Sequence, residues 1–218
     1  KRNKMKNSKV LALTAGMGSL IIAGTASADF QGISHEVEET AYGTMVQVYV
    51  DVEAGDQLNA VYGDADNALH IGAGAGSFYQ NAFGGPTVAG MNPAFFPIFP
   101  SLVYDSFVTI GLTTNVGNAM LDIGIDFSDF NAGGAIDTDN GSWFATPDDA
   151  QVHEIDGRVL IGQFTLVDGA LEGNVNLQGK NADGSNWTAL GVDVNPLPAP
   201  GAIALLGLAG VAARRRRK

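Results

Sequence analysis

The side chains best able to do chemistry in this 218-residue chain are its carboxylates, and at one place they fall in a suggestive order. Asp137-Thr138-Asp139-Asn140-Gly141 sets two carboxylates and an amide beside a turn glycine, which is how a calcium-binding loop begins. The run lacks the full Asp-x-Asp-x-Asp-Gly register and the bidentate glutamate that closes such a loop. Asp148, Asp149 and Glu154 would have to complete the shell through folding. Asp137, Asp139 and Asn140 are therefore candidate calcium ligands, set beside the plainer reading of an acidic surface loop. Calcium is the one cofactor the sequence suggests.

Other chemistries find little material. The chain has no cysteine, which removes disulfides, thiolate metal sites and a cysteine nucleophile. His35, His70 and His153 lie far apart, with no His-x-x-x-His spacing to build a zinc site. His70 sits in the apolar run Ala68-Leu69-His70-Ile71 and reads as a strand histidine. No Gly-x-Ser-x-Gly elbow is present. The glycines of Gly72-Ala73-Gly74-Ala75-Gly76 have neither the spacing nor the strand-helix context of a nucleotide loop. A carboxylate pair for glycoside hydrolysis remains conceivable among 23 acids, but nothing in the order of residues selects two of them. A non-catalytic protein is expected.

A second candidate site is aromatic. Residues 72–101 interrupt the regular pattern with Phe78, Tyr79 and Phe83, then with Met91-Asn92-Pro93-Ala94-Phe95-Phe96-Pro97-Ile98-Phe99-Pro100. Its prolines exclude a regular helix or a central strand. The segment is expected to be a loop whose phenylalanines cap an open edge of the domain. Alternatively, Phe78, Tyr79, Phe95, Phe96 and Phe99 form an apolar platform for a glycan or a partner chain, since loops on rigid β scaffolds often bind ligands.

The elements that must position these groups read as strands. Residues 44–53 alternate Val46, Val48, Val50 and Val52 with Gln47, Tyr49, Asp51 and Glu53, a half-buried strand with one wet face. Leu121, Ile123, Ile125 and Phe127 alternate with polar residues in the same way, as do Leu171, Gly173, Val175 and Leu177. Residues 107–112 and 158–167 are denser and suit central strands covered on both sides. Residues 186–194 supply a last strand with Leu190, Val192 and Val194 as apolar positions. The pairs Asp156-Gly157, Asp168-Gly169 and Asp183-Gly184 suit tight hairpin turns. The expected fold is all-β: a single antiparallel β-sandwich, immunoglobulin-like or jelly-roll-like, over residues 29–195. A closed barrel is the alternative. Flanking it are an N-terminal signal helix and a short C-terminal transmembrane helix.

Charge separates the same three parts. The net charge is −11, yet ten of the 12 Lys and Arg lie in residues 1–9 and 214–218. Between Asp29 and Asp193 stand all 23 acids with only Arg158 and Lys180, a net charge of −21. Such a surface repels nucleic acid and anionic lipid.

The basic ends frame apolar runs. Residues 1–28 read as a signal peptide: a basic start with Met5 as candidate initiator, an apolar stretch over 10–24, and Ala26-Ser27-Ala28 as the cleavage site ahead of Asp29. The expected partners are a secretion translocase and a signal peptidase. Residues 196–218 run from a proline segment through the wholly apolar residues 201–213 to Arg214-Arg215-Arg216-Arg217-Lys218. As a helix the apolar run would be roughly 20 Å long, short for a bilayer core of about 30 Å, so insertion would need local thinning and snorkelling cations. The cations would stay on the cytoplasmic side.

This tail resembles the PEP-CTERM sorting signal of bacteria that carry an exosortase. The resemblance covers residues 196–218, with Pro198, Ala199, Pro200 and Gly201 at the proline motif and Arg214, Arg215, Arg216 and Arg217 at the basic end. The family's usual Pro-Glu-Pro reads Pro198-Ala199-Pro200, without the glutamate. The resemblance implies an inner-membrane-anchored intermediate that an exosortase-type membrane protease or transpeptidase cuts near the prolines. The domain would then go to the cell surface or extracellular matrix, where polysaccharide is a candidate partner. The interior more loosely resembles an extracellular domain of exported planctomycete-type proteins, through Gly76-Ser77-Phe78-Tyr79-Gln80, Asn140-Gly141-Ser142-Trp143-Phe144 and Asp156-Gly157-Arg158-Val159-Leu160. That likeness implies export and a β fold, and no catalytic residue.

Overall fold

The computed structural model describes residues 30–196. The cleavage-site residues Ala26, Ala28 and Asp29, and Pro198, Ala199, Pro200, Gly201, Arg214, Arg215, Arg216 and Arg217 of the tail, lie outside the described residues, as do the segments expected to form the signal and transmembrane helices. Among the described residues no helix is long and apolar enough to cross a membrane.

The strand signal of residues 44–53 is realised in β2 (Gly43–Val52), which pairs antiparallel with β1 (Phe30–Thr40) across a two-residue turn. Val46, Val48, Val50 and Val52 are buried, while Gln47, Tyr49 and Asp51 face outward. β1 escaped the sequence pattern because it carries Glu36, Glu38 and Glu39 where a core strand would alternate. It forms the outer edge of its sheet, where charge discourages pairing with foreign strands.

The chain continues through β3 (Gln57–Gly63), β4 (Leu69–Gly72), β5 (Ser77–Phe78), β6 (Phe107–Val108) and β7 (Leu121–Ile123). After a one-turn helix α1 (Ser128–Asn131) come β8 (Ile136–Thr138), β9 (Gly141–Phe144), β10 (Arg158–Val167), β11 (Glu172–Lys180) and β12 (Asn186–Asp193). They form two antiparallel sheets. The first runs β1-β2-β10, with β5 and β6 sharing the far side of β10. In the second, β12 flanks β11 on one side and β3 and β4 share the other; β9 and β7 extend from β3, and β8 from β4. Valines 46, 48 and 50 meet Leu58, Val61, Trp143, Val175 and Leu177 in one core, as in a two-layer β-sandwich. Trp143 is wholly buried and donates its indole N–H to the Thr109 carbonyl at 3.1 Å. The all-β, two-sheet antiparallel expectation is met.

Four local expectations are corrected. Leu121 and Ile123 do not face the core: β7 is a three-residue edge strand, and these side chains are 61% and 67% exposed. The chain turns away after them, so only Phe127 of that alternating set is buried. Leu190 is also exposed, because β12 carries an extra residue between Ala189, opposite Leu177, and Val192, opposite Val175. This bulge reverses the inward parity, so Trp187 and Ala189 point in before it and Val194 after it. Of residues 107–112 only Phe107 and Val108 form a strand, although both are buried against β10. Asp168-Gly169 closes no hairpin, since β10 and β11 belong to different sheets and the turn carries the chain between them. The other two pairs behave as expected. Asp156 and Gly157, at φ of 56° and 79°, make a two-residue turn closed by reciprocal Ile155–Arg158 hydrogen bonds. Asp183-Gly184 joins β11 to β12.

Candidate binding groove and aromatic loop

β10 explains how the aromatic segment is placed. Its sequence is too apolar for a strand with a wet face, and Gln163 and Thr165, which point away from the core, are nonetheless buried. What covers them is the segment between β5 and β6, which folds back over the outer face of the first sheet. Three short 3₁₀ turns, Val88–Gly90, Pro93–Phe95 and Pro100–Tyr104, punctuate it, and Pro93 and Pro100 each open a turn at a position where no N–H is needed. The segment thus roofs a face of the sandwich and does not cap an open edge of it.

Two polar side chains fasten this roof. Gln163 donates from Nε2 to the carbonyls of Val103 and Asp105, both at 2.9 Å, and its Oε1 accepts from Gln47 Nε2 at 3.0 Å. Asp105 is fully buried; its Oδ1 accepts from the Asn81 N–H at 2.6 Å and its Oδ2 from the Gly85 N–H at 3.1 Å. Burial raises its carboxyl from 3.8 to about 6, against the lowering effect of the Asn81, Gly85 and Ser106 backbone donors. The Ser106 hydroxyl accepts from the Thr165 N–H, tying the end of the roof to β10.

The predicted aromatic platform is divided by this arrangement. Phe78 belongs to the core, 5.3 Å from Phe130 and 5.5 Å from Phe164 between ring centres, and is corrected from platform to core residue. Tyr79 is half-buried and packs 4.8 Å from Tyr42, which in turn lies 5.4 Å from Tyr104. Phe96 and Phe99 are half-buried against the core. Phe99 stacks on Phe83 at 3.7 Å and meets Phe95 edge-on at 6.3 Å. Phe83 and Phe95 remain 51% and 41% exposed, next to an exposed Ile98.

Between the roof and the outer faces of β1 and β2 lies a groove of about 450 Å³. Its floor is Met45, Gln47 and Gln163, its outer rim Glu38, and its roof side Phe96 and Tyr104, with Thr113 and Thr114 at one end. That volume falls within the span of about 300–1,000 Å³ typical of small-molecule sites. Sequence reasoning found Phe96 alone of these. The others come from five separate stretches, and only a glutamine and a threonine inside an apolar strand hinted that β10 faces something other than solvent.

The candidate calcium ligands are placed differently from a metal shell. Asp137 lies directly opposite His70 in the middle of the β4–β8 pairing, where its Oδ1 meets His70 Nδ1 at 2.7 Å. Asp139 and Asn140 occupy the turn before β9, where the Asn140 N–H donates to Thr138 Oγ1. Asp148 and Glu154 are engaged elsewhere, near Gln57 and at the N–H groups of Gly55 and Gly157. Among the described residues no group of three or more His, Asp or Glu side chains is arranged to hold a metal ion.

One further surface cluster is built on β1, β2 and β10. The Arg158 guanidinium lies 4.0 Å over the Tyr49 ring and pairs with Glu36. Desolvation and the Glu36 charge push the Tyr49 hydroxyl up, and the hydrogen bond to Glu36 raises Arg158 further. Compared with protein-family models, curated proteins and solved structures, the chain finds no match in any of the three.

Proposed function

We propose that this chain is an exported protein, sorted to the cell surface or extracellular matrix by an exosortase-type enzyme, whose sandwich serves a non-catalytic structural or adhesive role. The observation that carries the reading is the order of residues 196–218: proline motif, unbroken apolar run, five cations. The signal-like leader gives the matching entry point to the secretion translocase and signal peptidase. The fold supports it as well. Strand β12 ends at Asp193, shortly before Pro198, so a cut near the prolines would leave the two sheets whole. An immunoglobulin-like or jelly-roll-like sandwich with a strongly acidic surface suits a soluble ectodomain.

The test is processing. In a host with the matching exosortase, mass spectrometry of surface material should find the mature chain without residues 201–218. Removing Arg214 to Lys218 should leave the precursor uncut in the membrane fraction. Recovery of surface protein still ending in Lys218 would overturn the reading.

A second, compatible reading is a glycan- or protein-binding module that uses the segment between β5 and β6. It is favoured by the exposed Phe83, Phe95 and Ile98, three large apolar side chains presented together on a rigid scaffold.

A further inference from the structure

We propose that the groove beneath the roof segment, rather than the phenylalanines at its tip, is the ligand site of this domain, and that it takes an uncharged saccharide. The proposal rests on the adhesive reading and assigns its partner chemistry.

Three features of the groove select that class. Its walls combine aromatic surface, Tyr104 and Phe96, with the side-chain amide of Gln47 and the hydroxyls of Thr113 and Thr114. A sugar ring has the complementary surface: an apolar C–H face that packs on an aromatic ring and a rim of hydroxyls that both donate and accept. The charge at the rim is the carboxylate of Glu38. It stands in a domain with only Arg158 and Lys180 as cations, so uronic acids, sulfated sugars and phosphates meet repulsion without a counter-charge. Finally, the floor is preorganised. Gln163 is held by two carbonyls and by Gln47, and Gln47 Oε1 accepts from the Tyr49 hydroxyl at 3.1 Å. Their amide orientations are therefore set before a ligand arrives, which reduces the ordering that binding would otherwise require. By contrast, the large side chains exposed at the tip, Phe83, Phe95 and Ile98, are apolar, and the Phe83 and Phe99 rings cover one another.

The experiment uses the full chain in a detergent without a sugar headgroup. Neutral tetrasaccharides of β-linked glucose, galactose and mannose are titrated by calorimetry, with tetragalacturonate as the anionic counterpart. At least one neutral oligosaccharide should bind and tetragalacturonate should not. Tyr104→Ala and Gln47→Ala should each weaken binding about tenfold or more. Tyr104→Phe, which keeps the ring and guards against misfolding, should retain most of it, and Phe95→Ala should change it less than about twofold. Binding that ignores Tyr104→Ala and Gln47→Ala, or no binding by any neutral sugar, overturns the proposal. The adhesive reading is read separately, by retention of the protein on polysaccharide from the producing cells. If that retention survives the groove variants and is lost on joint Phe83→Ala and Phe95→Ala replacement, the groove assignment falls and the adhesive reading stands.

Discussion

Asp105 holds together the part of the molecule that matters most for binding, and it does so at an energetic cost that pH can expose. Its two oxygens tie down the N–H groups of Asn81 and Gly85 at the start of the roof, while its own carbonyl accepts from Gln163 on β10. Because burial raises its carboxyl from 3.8 to about 6, the folded protein keeps a proton there that the unfolded chain has already released. Stability associated with this group is therefore fully present below about pH 4, is lost as pH rises towards 6, and is gone above that. At about 1.4 kcal/mol per pH unit, the interval is worth about 3 kcal/mol. Urea melts of the wild type and Asp105→Asn between pH 4 and pH 7 isolate it, since all other titrations are shared. The wild type should lose about 3 kcal/mol relative to the variant across that range. Parallel pH profiles would show that Asp105 titrates normally.

β12 shows how one element can follow its sequence pattern and still defeat the reading of it. Its alternation is real on both halves, but the extra residue at 190–191 shifts the phase between them, which Gly191 allows by adopting φ of 59°. The bulge is held from the neighbouring strand by Asn176, wholly buried, whose Oδ1 accepts from the Gly191 N–H at 2.9 Å and whose Nδ2 donates to the Asn67 carbonyl at 2.8 Å. Asn176→Ala leaves both backbone groups without these partners and should destabilise the domain by about 2–4 kcal/mol. Hydrogen exchange at Gly191 should quicken with it. A loss below about 1 kcal/mol with unchanged exchange would mean the bulge holds itself. The same logic marks which strands were legible. β2, β10 and β11 bury whole faces, so hydrophobic period reveals them. β1 and β7 lie at edges where period carries no burial, and the short β4, β5, β6 and β8 owe their strand geometry to partners distant in sequence. The groove was hidden for a related reason. Its chemistry is assembled from β1, β2, β10 and the roof, and only the aromatic density of the roof was visible in the chain order.

Across the whole domain, electrostatics works against compaction. The described residues carry all of the 23 acids except Asp29, offset by Arg158 and Lys180 alone. The Arg158–Glu36 ion pair is partly exposed and of the kind worth about 1 kcal/mol or less, and His70 and Asp137 make a hydrogen-bonded contact at the surface. Many of the acids instead accept local N–H bonds, as Asp64, Asp126, Asp149 and Asp193 do at turns and strand ends, which leaves their charge unneutralised. Mutual repulsion among them should be screened by salt, because the Debye length shrinks from about 30 Å at 0.01 M to about 3 Å at 1 M. The melting temperature at pH 7 should therefore rise steadily with sodium chloride over that range, by about 2–4 °C for each kcal/mol of repulsion relieved in a domain of this size. Divalent cations separate screening from a specific site. With Asp137 turned to His70 and Asp148 and Glu154 engaged elsewhere, calcium and magnesium at equal ionic strength should raise the midpoint equally. A larger shift with calcium, abolished by Asp139→Asn, would instead place a calcium ion on the turn at 137–140 and require Asp137 to leave His70 for it.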